Sequence, residues 1–267
     1  MASGLAITSS NRIDERFALL REQHRKALVC YVTAGHPDRA RSIDLLRGLE
    51  DAGADIVEVG VPFSDPLADG PVIQASSQVA LDAGTTFSDV LEIVGEAALN
   101  VPVVLFGYLN PFLAAGDEAL NRMEKAGCDG LLITDLPVGA DPPLEARFTG
   151  SQLAFIRLVA PTTPVERMRL IAQNGSGFVY LISRLGVTGM QQEIAPELGA
   201  TVERLRSVTA LPICVGFGVT DARQAAAVAR VADGVVVGSA IVRAAGTSVD
   251  AAVALTRSLR AGIDNAG

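Results

Sequence analysis

Eight short runs of apolar, mostly β-branched residues punctuate the chain, at 28–33, 55–60, 102–107, 129–134, 153–160, 177–182, 211–216 and 233–238. Most of them end at a Gly, Thr or Pro that can open a loop. The runs are nearly continuous rather than alternating, which predicts strands covered on both faces, as in a parallel sheet. Between them, helical periodicity is clearest over 38–52, where Ile43, Leu46 and Leu49 recur on one face and Gly53 offers a stop. Further helices are predicted over 87–99, 112–126, 164–174, 193–207, 221–231 and 247–262. Thr220 and Asp221 cap one start, and Pro164 after Thr163 opens another. An amphipathic segment at 11–23 adds a helix before the first strand. Strand and helix thus alternate with short connections, and eight units in this length favour closure into a (β/α)8 TIM barrel. An open doubly wound sheet is the alternative. Its dinucleotide fingerprint is incomplete, because Gly216–Phe217–Gly218 is followed by Asp221 where the third glycine belongs.

Composition narrows the classes. The chain has 267 residues, 49% hydrophobic and 19% charged, ample for a buried core and read as one barrel domain over 1–267, with 1–10 as a flexible extension. A net charge of −8 without any basic run disfavours nucleic acid, and no stretch approaches the ~20 apolar residues of a spanning helix. The first residues show no secretory pattern, and Cys30, Cys128 and Cys214 lack paired spacing. These features predict reduced, buried thiols in a cytoplasmic protein. His24 and His36 have no ligand-like company, so no metal site is expected.

In a βα barrel, chemistry sits at the C-terminal ends of the strands. Glu58 lies between Val57 and Val59, and if it shares a face with Ile56 it points into the barrel mouth. Partial desolvation there raises a carboxyl pKa and suits a proton carrier. The proline-pinned loop that follows returns Asp69, just before Gly70–Pro71, over the same cavity as a second carboxylate. Asp65, ahead of Pro66, shapes the turn instead. Strand seven ends in Gly216–Phe217–Gly218, and strand eight ends in Gly238–Ser239 followed by a short helix. Backbone amides and a helix N-terminus there can hold a phosphate without Lys or Arg. The loop at 183–192, with Gly186 and Gly189 around Thr188, has the makings of a lid.

Taken together, the segments resemble the tryptophan synthase alpha chain family over nearly the whole sequence. The most specific stretch is E-x-G-x-P-F-S-D-P-x-A-D-G-P, here Glu58 to Pro71, supported by 107–111, 135–137, 183–189, 216–218 and 238–242. The resemblance implies retro-aldol cleavage of indole-3-glycerol phosphate to indole and glyceraldehyde 3-phosphate, with no cofactor or metal in this chain. By position, Glu58 would protonate ring C3 and take the proton of the adjacent glycerol hydroxyl, and Asp69 would accept the indole N–H. Gly189, Gly218, Gly238 and Ser239 would hold the phosphate. Phe217 and Tyr108 would line the indole pocket, Tyr180 would lie near the glycerol, and Thr188 would close over Asp69. The family implies a pyridoxal-phosphate beta chain as partner in an α2β2 assembly, facing the loop at 61–71 and the segment around Asn110–Pro111. Two positions depart from the pattern, Leu185 where small or polar residues are usual and His36 where Asp is frequent. Alternatives are a free-standing lyase that releases indole, a non-catalytic regulatory barrel, and a flavin-binding barrel using the same phosphate cradle.

Overall fold

The computed structural model describes residues 11–182, 196–216 and 218–266. Eight parallel strands close into a barrel in sequence order: β1 (Ala27–Thr33), β2 (Ile56–Gly60), β3 (Val103–Gly107), β4 (Gly130–Ile133), β5 (Ala154–Val159), β6 (Val179–Ile182), β7 (Ile213–Gly216) and β8 (Gly234–Val237). Around them lie α1 (Arg12–Glu22), α2 (Arg39–Asp51), α3 (Pro71–Asp82), α4 (Phe87–Ala97), α5 (Leu109–Ala114), α6 (Ala119–Lys125), α7 (Pro142–Thr149), α8 (Val165–Gln173), α9 (Pro196–Arg206), α10 (Ala222–Ala229), α11 (Ser239–Thr247) and α12 (Val249–Asp264).

The apolar runs are continuous because the two faces of each strand serve two different cores. Val29, Ile56, Val104, Leu132, Ile156, Cys214 and Val236 point inward and fill the barrel, while Ile13, Phe17 and Leu20 of α1 join them as a stopper at its N-terminal end. The intervening residues, such as Leu28, Cys30, Val57, Val59 and Leu131, face outward against Leu46 and Leu49 of α2, Ile93 of α4 and Met123 of α6. The additional N-terminal helix is therefore part of the packed interior. The three cysteines are free and buried, as their spacing predicted.

Four helical expectations changed. The segment 112–126 is two helices, α5 and α6, because Gly116 takes a left-handed φ of 81° between them. Helices α3, which opens at Pro71 after Gly70, and α7, which opens at Pro142 and Pro143, were not among the predicted spans. Proline is tolerated in a first turn, and the Asp141 side chain caps that of α7 by accepting the Leu144 amide at 3.0 Å. The segment expected from 247 starts at Val249, after Ser248 caps it by accepting the Ala251 amide.

The N-terminal rim is closed by a repeated device. At the foot of β2, the Asp55 amide donates to the Leu28 carbonyl at 2.8 Å and its carboxylate accepts the Leu28 amide at 2.8 Å. Asp129 holds Val103 in the same two-point way at 2.8 and 2.8 Å, and Asp233 holds Ile213 at 2.9 and 2.9 Å. Ser176 repeats it on Phe155 with its hydroxyl, at 3.0 and 2.9 Å. The joins between these pairs carry one backbone bond at that level, from Val57 to Pro102, Ala154 to Asp129, Val179 to Pro212 and Ala27 to Asp233. Each rim aspartate also meets an arginine, Asp55 with Arg260, Asp129 with Arg12 and Asp233 with Arg206. An Asp129→Ala variant strands the buried Val103 amide, and we expect it to lose about 1–3 kcal/mol of stability in urea unfolding.

Candidate active site

Glu58 occupies the third position of β2. Strand alternation sends it inward above Ile56, while Val57 and Val59 go to the outer core. It is 0% exposed, and among the described residues neither carboxyl oxygen has a hydrogen-bond partner. Burial without a compensating cation pushes its pKa up to about 8, so the group holds its proton at neutral pH. A buried acid left unpaired costs stability, and such groups gather where chemistry needs a proton.

Asp69 stands in the loop between β2 and α3. That loop is held by its own backbone, with Leu67 donating to the Asp65 carbonyl and Asp69 to the Pro66 carbonyl, and by the Gln74 side chain donating to the Asp69 carbonyl at 2.9 Å. The Asp65 backbone thus serves the turn, as its place before Pro66 suggested. Partial burial raises the Asp69 carboxyl to about 6, opposed by a hydrogen bond from the Tyr108 hydroxyl. The same hydroxyl accepts the Ala68 amide at 2.9 Å, so Tyr108 pins the loop at the residue before Asp69. Tyr108 itself lies between β3 and α5, where the next amide, Leu109, donates to Asp135 at 2.7 Å and Phe63 packs on its ring at 5.1 Å.

Tyr180, on β6, points inward with its ring in the space that Gly216 leaves free. Burial raises its phenol pKa well above the usual value, and the charges of Glu58 and Asp69 add to the shift. Both carboxyls act on this one phenol, which puts the two acids and the tyrosine at one mouth. Of the residues expected to hold phosphate, Gly218 takes a left-handed φ of 80° after β7. Gly238 caps α11 without any side-chain hydrogen bond, and the exposed Ser239 begins the helix. The first turn of this nine-residue helix therefore offers uncapped backbone amides, together worth about half a positive charge. Thr188, Gly189 and Phe217, with the rest of the loop at 183–192 including Leu185, lie outside the described residues.

His36 is not part of this group. It lines a groove of about 360 Å³ with Ser76, Val79, Val242 and Arg243, between α3 and α11, and burial lowers its pKa. Among the described residues, no group of three or more His, Cys, Asp or Glu side chains could hold a metal ion, and no helix is long and apolar enough to cross a membrane. Sequence reasoning missed Tyr31, the β1 residue in register with Glu58. Its signal was parity, since Val29, Tyr31 and Thr33 share the inward face of a strand beside that of Glu58.

The family profile described as "Tryptophan synthase alpha chain" matches residues 17–264. The tryptophan synthase alpha chain of Caulobacter vibrioides is 46% identical over 238 residues, covering 88% of this chain and 86% of its own length. That of a Geobacter species is 47% identical over 236 residues, covering 87% and 88%. Among solved structures, tryptophan synthase subunit alpha from Legionella pneumophila superposes with a TM-score of 0.87 at 36% identity, over 96% of this chain and 99% of that one. Tryptophan synthase from M. tuberculosis in an aminoacrylate-bound form gives 0.85 at 35% identity, over 95% and 99%.

Proposed function

The chain belongs to the tryptophan synthase alpha chain family, and from that premise we propose that its barrel mouth cleaves indole-3-glycerol phosphate into indole and glyceraldehyde 3-phosphate, with Glu58 and Asp69 doing the proton work. The observation that carries this reading is the pairing of a fully buried Glu58, without a hydrogen-bond partner among the described residues and near pKa 8, with an Asp69 near 6. At neutral pH one is an acid and the other a base, set apart by environment.

The bond between ring C3 and the glycerol carbon breaks only when the ring can leave as a neutral carbon. Glu58 delivers its proton to C3, which places positive charge on the ring nitrogen, and Asp69 accepts the N–H there and stabilises that charge. The Glu58 carboxylate then takes the proton of the hydroxyl on the glycerol carbon. The C–C bond electrons return to the ring, leaving indole and an aldehyde, and Glu58 ends protonated as it began. The phosphate is held by amides at Gly189, Gly218, Gly238 and Ser239 with the α11 N-terminus. Tyr108 and Phe217 flank the indole, Tyr180 lies by the glycerol, and Thr188 closes over Asp69. No metal or cofactor of this chain is required by these steps.

The loop carrying Asp69 also exposes Leu67, and because the family acts with a protein partner we place that partner on this rim. That partner is a beta chain that carries pyridoxal phosphate and receives the indole, in an α2β2 assembly with Asn110–Pro111 beside it, within the cytoplasm. The chain as a whole, with 1–10 as an extension, acts as one barrel domain. The decisive assay follows indole released from indole-3-glycerol phosphate by the purified chain, alone and with a beta chain. Indole formation that rises on mixing supports the reading. An unchanged rate leaves a free-standing lyase, and no indole under either condition overturns the assignment.

A further inference from the structure

Tyr108 holds the loop that carries Asp69, and its own backbone is held from a third loop, the one after β4. The Gly107 carbonyl accepts the amide and the hydroxyl of Thr134, at 2.9 and 3.2 Å, and the Leu109 amide donates to the Asp135 carboxylate at 2.7 Å. These groups belong to the two peptide planes that meet at the Tyr108 Cα. Holding both planes fixes φ at −106° and ψ at 158°, the torsions that set where the side chain departs. The phenol oxygen then accepts the Ala68 amide at 2.9 Å, one residue before Asp69.

Asp135 supplies what the local sequence lacks. Tyr108 stands at the N-cap of α5, and its side chain gives no acceptor to the first turn. The acceptor comes instead from 26 residues further along the chain. A carboxylate presented by a loop is only as steady as that loop, and this one is fastened at three backbone points within four residues. The Leu136 carbonyl accepts from Arg157 at 2.9 Å, the Val138 carbonyl accepts from Arg167 at 2.7 Å, and the Gly139 amide donates to Glu145 at 2.7 Å. Arg157 of β5 and Glu145 of α7 are both buried and pair at 3.0 Å. Arg157 also donates to the carbonyl and the side chain of Asn174, and its guanidinium lies 3.8 Å over the Phe155 ring. A planar guanidinium tied in so many directions cannot turn.

We infer that Asp135 is a positioning residue for the cleavage, acting through Tyr108 on the loop that carries Asp69, with the buried Arg157–Glu145 pair as its anchor. This rests on the cleavage reading above. Asp135 itself touches no reacting atom in that reading. Asp69 must meet the indole N–H within hydrogen-bond reach, and a catalytic group displaced by about 1 Å loses much of its effect.

Two readouts test the inference, hydrogen exchange at the Ala68 amide and kcat/KM for indole-3-glycerol phosphate. Asp135 is exposed, so its variants leave the barrel core intact. Asp135→Ala should speed Ala68 exchange several-fold and lower kcat/KM about three- to tenfold. Asp135→Asn keeps an acceptor oxygen for the Leu109 amide and should stay within about twofold of wild type in both. In a Tyr108→Phe chain, which has no hydroxyl to hold Ala68, adding Asp135→Ala should change neither quantity further. Equal losses in the two backgrounds overturn the inference, as does an Asn variant no better than Ala, or an Ala variant at wild-type values. Exchange needs no turnover. A chain that forms no indole therefore overturns the functional reading, while Ala68 still decides whether Asp135 positions the loop.

Discussion

A Glu58→Gln variant is expected to form indole about 10²–10⁴ times more slowly than the wild-type chain at neutral pH. Glutamine matches the volume of a protonated glutamic acid but can neither deliver a proton to ring C3 nor take one from the hydroxyl. Substrate held by its phosphate should bind with little change in KM, so the loss falls on kcat. A second consequence concerns stability. The Glu58 carboxyl is raised from about 4.5 in the unfolded chain to about 8 in the barrel. Between those values the native state holds a proton that the unfolded state has released, so this group makes the wild-type chain less stable as pH rises from about 4.5 to 8. The Gln variant lacks that slope and should gain on the wild type over the same window in urea unfolding. A variant that cleaves at the wild-type rate would falsify the role of Glu58 as proton carrier.

The pH profile of kcat/KM carries the second large effect. Asp69 must be ionised to accept the indole N–H, and Glu58 must be protonated to donate. Activity should therefore rise as pH passes about 6 and fall as it passes about 8. The two acids share one mouth, so the limbs belong to the pair rather than to either alone. Asp69→Asn should lower the rate by about 10²-fold or more and abolish the rising limb. Tyr108→Phe removes the hydrogen bond that opposes the rise at Asp69, so the rising limb should move to higher pH. A rising limb that survives in Asp69→Asn would assign that titration to another group.

The barrel was legible because parallel strands with two buried faces leave apolar runs that no loop imitates, as at 55–60 and 233–238. Helix α7 was hidden, because Pro142 and Pro143 signal a break everywhere except in a first turn, and only the Asp141 cap tells the two cases apart. Glu58 stood out as a lone carboxyl in an apolar strand, and Asp69 as an acid returned by a stiff loop. Tyr31 did not, since an aromatic in such a run reads as core. Tyr108 entered through the family resemblance alone, because its hold on Ala68, beside Asp69, joins two loops that only the closed barrel brings together.

The rim clamps divide the barrel in a way that eight similar strands conceal. Asp55, Asp129, Ser176 and Asp233 each lock an odd strand to the even strand after it, while the seams between those pairs carry a single backbone bond at the same level. The architecture is thus a four-fold pseudo-symmetric ring of two-strand modules, and the smallest piece that carries its own joint is a quarter of the barrel. Amide exchange from the native state should release the rim in twos along the single-bond seams. A chimaera spliced at those seams keeps all four locks, whereas one spliced within a module severs one.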